Sequence, residues 1–221
     1  NLFLYDKNLM KINKIKKIKI KNKKIIANIK PPKYGNFEFV VIATKSKERL
    51  AVIDHFLKFN NVRFVLLEKF LFNKLNKFKK FEKRYKTELN KIYVNVWSKY
   101  FLNLINLNIS KEPFEIKVEL PEKRILTNLI HFYEIFKILG KNKIKIDLNF
   151  FKLLKLKNGY HDGTGKIILK NDFGSTMEIL SQKKENNFVF EFKSKKFNER
   201  INLVNNQIQF KKKKNKIDFP L

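Results

Sequence analysis

Cysteine is absent from the 221 residues, which excludes disulfides, thiolate nucleophiles and cysteine-ligated zinc. Histidine is scarce: His55, His131 and His161 lie far apart and offer little to a metal. Six glycines and five prolines are too few for a flexible, glycine-rich binding chain. No apolar run reaches the ~18 residues of a membrane-spanning helix. The closest, around Val96–Ile109, is broken by Ser98, Lys99 and several asparagines, so no transmembrane span is expected. Acids are also short. Twenty Asp and Glu face 50 Lys and Arg, 45 of these lysine, for a net charge of +30 and a pI of about 10.1.

Such an imbalance repels itself unless a polyanion neutralises it, and lysine set against phosphate releases condensed counterion. Lysine in place of arginine favours backbone phosphate over base edges. Nucleic acid is therefore the expected partner. The same alphabet, rich in Ile, Asn, Lys and Phe, is what an AT-rich genome encodes, so part of the lysine excess is codon usage. A hydrophobic content of 43% with 23 phenylalanines requires a packed core and excludes wholesale disorder. Asn1–Met10 lacks the pattern of a secretory signal, and a start at Asn rather than Met leads us to expect residues before position 1.

Periodicity predicts an α+β fold in four segments. Residues 1–35 read as a basic arm: from Lys7 through Lys33 there are 11 lysines and no acid, and Ile18/Ile20 alternate with lysine as on an edge strand. Pro31-Pro32 ends it. Residues 36–150 read as an α+β body. Phe37–Ala43 predicts a buried strand, Leu50, Ile53, Phe56 and Phe59 a helix face, and Val62, Phe64 and Leu66 a second strand. The order returns at Phe114–Val118, at Leu126–Leu139 and at Ile144–Leu148, a possible duplicated βαβ unit. Between the two copies, Leu67, Leu71, Leu75, Phe78, Phe81, Tyr85, Leu89, Ile92 and Val96 predict one long basic helix near 67–96. Residues 151–210 read as a small antiparallel sheet or barrel with breaks at Asn186-Asn187 and Asn205-Asn206. Residues 211–221 form a lysine-rich tail.

The expected RNA-binding residues are the cations of these basic segments. They are Lys11, Lys14, Lys16, Lys17, Lys19, Lys21, Lys23 and Lys24 of the arm, and Lys74, Lys77, Lys80, Lys83 and Arg84 of the helix. Lys211, Lys212, Lys213, Lys214 and Lys216 of the tail complete the set. Phe78, Phe81 and Tyr85 among the helix lysines serve either core packing or base stacking. Gly159-Tyr160-His161-Asp162-Gly163-Thr164-Gly165 is the one segment resembling a functional loop, suited to an anion or proton transfer, and equally an ordinary strand connection. Lys166 follows it, but the pattern is not a complete phosphate-binding loop.

As a whole the chain resembles an organelle-encoded mitochondrial ribosomal protein of an AT-rich genome, in its basic arm, α+β body, basic helix and lysine tail. Lys33–Ala43 also resembles the start of the small-subunit ribosomal protein S16. The resemblance implies a ribonucleoprotein of the mitochondrial matrix that binds rRNA and neighbouring ribosomal proteins. It implies no reaction, cofactor, metal or small-molecule substrate. Two alternatives stay open: a metal-dependent nuclease or maturase-like protein, and an accessory subunit of a respiratory complex.

Overall fold

A computed structural model describes every residue except 1, 20, 22, 23, 29, 70, 108–111, 141, 142, 157–160, 183–187, 205, 206, 211–215 and 219–221. It divides into two compact units, Asn1–Asn95 and Val96–Leu221. Among the described residues no helix is long and apolar enough to cross a membrane.

The first unit opens on β1 (Leu2–Tyr5), α1 (Leu9–Lys16) and β2 (Ile25–Asn28), with β1 and β2 parallel and Leu2 opposite Ile25. The extended basic arm expected here is thus a βαβ unit. A local signal decides it. Asn8 caps α1 by accepting from the amides of Met10 (3.0 Å) and Lys11 (3.3 Å), and Asp6 braces the cap by accepting from the Asn8 amide at 2.8 Å. Ile12 then falls on the buried face at 1% exposure, while Lys14 and Lys16 sit in the last turn, where the helix dipole favours cations.

Next come β3 (Asn36–Ile42), α2 (Arg49–Phe59), β4 (Asn61–Glu68), α3 (Leu75–Arg84) and β5 (Ile92–Asn95). The three strands pair in parallel in the order β3-β4-β5. Val40, Ile42, Val65 and Leu67 of the sheet pack with Ile53 and Phe56 of α2 and with Phe81 of α3. Asp54 of α2 accepts from Arg84 and from the Tyr85 hydroxyl, tying the helices together. Burial, reinforced by the bond to Asp54, pushes the Tyr85 phenol above its ordinary range.

The long helix near 67–96 does not form. Leu67 belongs to the β4 ladder, Lys74 is extended (φ −143°, ψ 140°), α3 lasts ten residues, and Tyr93 and Val94 pair as β5. The apolar spacing of threes and fours ran across β4, α3, β5 and the connections between them. Parallel pairing of β4 and β5 sets the half-buried Ile92 against the cluster that holds the buried Val65 and Leu67, which a single rod could not do.

The second unit contains α4 (Ser98–Ile105), β6 (Glu115–Pro121), α5 (Ile125–Gly140), β7 (Ile144–Asp147), β8 (Phe151–Lys155), β9 (His161–Asn171), β10 (Thr176–Gln182), β11 (Phe188–Lys193), β12 (Asn198–Val204), β13 (Gln207–Phe210) and β14 (Lys216–Asp218). They form one nine-stranded sheet in the order β14-β13-β12-β11-β6-β10-β9-β7, with β8 paired to β9. β6 runs parallel to β10, and every other described pairing is antiparallel.

The separate sheet or barrel expected over 151–210 is therefore part of a single open sheet that takes in β6 at its centre. β6 and β7 do flank α5 in sequence, but β10 and β9 lie between them in space. The α+β class with recurring β-α-β order holds, while the barrel does not. Asn186-Asn187 and Asn205-Asn206 lie outside the described residues.

The strands alternate as their sequence requires. Ile116, Val118, Met177, Ile179, Phe190 and Phe192 form one buried face with Phe101 of α4 and with Phe132 and Phe136 of α5. The intervening positions carry ion pairs: Lys117–Glu119 (2.6 Å), Lys166–Glu178 (3.2 Å) and Arg200–Glu191 (3.0 Å). His131 is fully buried and stacks on Trp97, ring centroids 4.5 Å apart.

Candidate functional site

In open parallel sheets, ligands settle beyond the carboxyl ends of the strands, because the connecting turns there expose amides and side chains beside a ready crevice. In the first unit this edge is built from the turn after β3, Ala43–Glu48, from Glu68 and Lys69 at the end of β4, and from Asn95 at the end of β5. Asp6, one residue past β1, joins them. Lys7 pairs with Glu48 at 2.8 Å, which brings the end of β1 beside the turn after β3.

Arg49, the first residue of α2, is 3% exposed. Its guanidinium donates to the carbonyls of Thr44, of Glu68 (2.5 Å) and of Leu71 (3.3 Å). One planar group thereby joins the turn after β3 to the turn after β4. The Glu68 carboxylate is held twice, by the Lys69 amide at 3.0 Å and by the Asn95 side-chain amide at 3.1 Å.

Lys69 is half-buried at the same edge. Burial lowers its amine below the ordinary lysine value, with the Glu68 charge acting in opposition. The buried Thr44 Oγ1, in the turn facing it along the edge, has no hydrogen-bond partner. A hydroxyl (Thr44) and an amine of lowered proton affinity (Lys69) thus follow the neighbouring strands β3 and β4, and a carboxylate (Asp6) follows β1 of the two-stranded sheet. Such a set can bind a polar ligand and move a proton.

Sequence reading did not single out Lys69, which stood as one basic residue among ten between Glu68 and Lys99. The signal available was its place: the βαβ pattern over 37–66 puts Glu68-Lys69 at a strand's carboxyl end.

The described cations expected to bind RNA fall on several elements. Lys11, Lys14 and Lys16 lie on α1, Lys17 follows it, and Lys19, Lys21 and Lys24 are exposed beyond. Lys74 precedes α3, which carries Lys77, Lys80, Lys83 and Arg84. Three of the set have internal tasks: Lys11 pairs with Asp6 (3.4 Å), Lys77 donates to the Lys47 carbonyl (2.6 Å), and Arg84 pairs with Asp54. Lys216 begins β14, while Lys23, Lys211, Lys212, Lys213 and Lys214 lie outside the described residues. Phe81 and Tyr85 are buried and Phe78 is 38% exposed.

The loop segment around His161 is mostly strand. His161–Gly165 begins β9, and Gly165, at φ +98°, takes a backbone form that other residues resist while approaching the Phe150 carbonyl. Asp162 is 1% exposed and accepts from the amides of Leu126 (2.9 Å) and Gly163 (2.8 Å) and from the Thr127 hydroxyl (2.5 Å). It anchors the start of α5. Among the described residues no group of three or more His, Asp or Glu could hold a metal ion, so the nuclease alternative finds no such cluster there.

No protein-family model and no curated protein matches the chain. Solved structures do. A dehydrogenase (MviM) from Clostridium difficile superposes with a TM-score of 0.56 at 13% identity, over 83% of this chain and 63% of its own. Biliverdin reductase from Synechocystis sp., solved with biliverdin and NADP+, gives 0.62 at 12% identity, over 100% of this chain and 77% of its own. An oxidoreductase from Agrobacterium radiobacter, solved with NAD+, L-tartaric acid and magnesium, gives 0.61 at 12%, over 98% and 71%. The chain thus spans just under two thirds of the first of these. Identities this low carry the fold alone.

That fold is the one seen in NAD(P)-dependent dehydrogenases and oxidoreductases, and it overturns the ribosomal resemblance. With it fall the RNA-binding role, the expectation of no reaction, and rRNA and ribosomal proteins as partners in place of a small molecule. The physical reason is that net charge governs solubility and non-specific association and does not specify a fold. Lysines at solvent-facing positions are compatible with any core.

Proposed function

We propose that the protein is an NAD(P)-dependent oxidoreductase acting on a small hydroxyl- or carbonyl-bearing compound. The observation that carries this proposal is Lys69, an amine with lowered proton affinity at the carboxyl end of the middle strand of a parallel sheet. The shared fold supports it, since two of its solved members hold NADP+ and NAD+.

The residues fit such a cofactor in part. A carboxylate just past a parallel strand is suited to ribose hydroxyls, and Asp6 occupies that position. The unpartnered Thr44 hydroxyl and Lys69 suit the reacting end. The sequence has no Gly-x-Gly-x-x-Gly run, and the turn Ala43–Glu48 contains no glycine, so we assign no residue to the pyrophosphate. When bound, a nicotinamide supplies or accepts the hydride. Lys69 takes the proton from a substrate hydroxyl or returns it to a carbonyl oxygen, as a base whose proton affinity burial lowers.

Titration with NADH, followed by fluorescence and calorimetry, tests this. Saturable binding with one site per chain is expected, and no binding at millimolar NADH would overturn it. Asp6 also predicts a preference. Its carboxylate repels a ribose 2′-phosphate, so NAD+ is expected to bind at least ~10-fold more tightly than NADP+. Asp6→Asn keeps an acceptor for the Asn8 amide and should shrink that ratio toward unity. An unchanged ratio would remove Asp6 from the cofactor site.

A further inference from the structure

We propose that Arg49 is the positioning residue for Lys69, holding the amine where it can exchange a proton with a ligand. This rests on Lys69 being the proton-transfer group of the oxidoreductase proposed above.

Arg49 occupies a place where a cation is costly: nearly out of contact with water, and at a helix N-terminus, whose dipole repels it. The guanidinium keeps its charge regardless, so its donors need acceptors. It finds them on both sides of Lys69, at the carbonyls of Glu68 (2.5 Å) and Leu71 (3.3 Å), and in the facing turn at the carbonyl of Thr44. These acceptors come from two connections that share no backbone hydrogen bond of their own in the described ladder, which ends at Ile42↔Leu67.

Past that point the guanidinium is a cross-link between the two turns. It fixes the backbone from which Lys69 projects and its spacing from Thr44. A rigid fork can serve several carbonyls at set angles, which an ammonium on a flexible stem cannot. The second clamp, Asn95 on the Glu68 carboxylate, restrains the charge beside Lys69.

The test uses the full chain with Arg49→Met and Arg49→Lys, each first checked for a cooperative melt. Two readouts follow. The first is turnover with NAD+ as a function of pH, and the second is the pH dependence of Lys69 acetylation by acetic anhydride, read by mass spectrometry. In Arg49→Met, kcat is expected to fall ~10- to 100-fold, the scale of an ångström-sized misplacement, with KM changing less than about threefold. Its Lys69 acetylation midpoint should move up toward that of an exposed lysine. Arg49→Lys should recover only part of either property.

Should Arg49→Met fail to fold, Arg49→Lys carries the comparison. A folded variant that loses stability but keeps the wild-type Lys69 midpoint would make Arg49 a purely structural clamp and overturn the proposal. Acetylation needs neither cofactor nor turnover. If NADH fails to bind while the Lys69 midpoint still follows Arg49, the oxidoreductase assignment falls and the positioning role stands.

Discussion

Replacing Lys69 with methionine is expected to lower kcat by ~10²- to 10⁴-fold while leaving NADH affinity within about threefold, as for loss of a single proton-transfer group. Methionine keeps the length and apolar stem and removes only the titrating amine. The pH dependence adds an independent check. Because burial lowers the Lys69 proton affinity, the rising limb of the wild-type kcat profile for hydroxyl oxidation should lie below the ordinary lysine range and vanish in the variant.

Stability carries the opposite signature. In the window between the lowered folded value and the ordinary lysine value, the unfolded chain binds more protons. Wild-type stability therefore rises with pH across that window. Below it the buried charge costs the folded state in full, so Lys69→Met should be the more stable protein at neutral pH and lose that advantage as pH climbs. A variant with normal turnover, or one whose stability relative to wild type is flat in pH, would remove Lys69 from the role assigned to it.

Asp162→Ala should produce the largest loss of stability, about 3 kcal/mol, seen as a fall of roughly 10 °C in the melting transition. At 1% exposure the carboxylate accepts from two amides and a hydroxyl, and its charge faces the N-terminus of α5. Alanine leaves the half-buried Leu126 amide and the buried Gly163 amide without this acceptor. Asp162→Asn retains one acceptor oxygen and should cost about half as much. Thermal denaturation at constant pH decides the matter: a shift under 2 °C in the alanine variant would mean that the helix start does not depend on this cap.

Much of the local structure was legible in the sequence. Val40 and Ile42, then Leu50, Ile53 and Phe56, then Val62 gave a strand, a helix and a strand, and these are β3, α2 and β4. In the second unit, Phe114–Val118 and Ile144–Leu148 were read as strands, and β6 and β7 lie there. The signals failed where the alphabet was most biased. Lysine between isoleucines satisfies a period of two and a period near three and a half alike, so residues 11–21 read as an extended arm, although Asn8 caps a helix there. Leucine and phenylalanine at threes and fours ran on through 67–96 because α3, β5 and the turns between them each contribute an apolar residue at that interval.

The candidate site was legible only in outline. The βαβ pattern over 37–66 identifies a parallel sheet and hence a functional edge. It does not mark one lysine out of 45. Lys69 becomes distinct through burial, through Glu68 and Asn95 beside it, and through the guanidinium of Arg49 beneath the same turn. None of these leaves a spacing in the chain.

The amino-acid order alone determined the α+β class, most strand and helix positions, and the absence of thiol chemistry, because these follow from period, turn residues and composition over short windows. Only the tertiary structure decided that β6 sits between β11 and β10 in the nine-stranded sheet, and that the Arg49 guanidinium reaches the carbonyls on either side of Lys69. Those outcomes depend on long-range pairing and on which side chains lose their water, and both are properties of the folded whole.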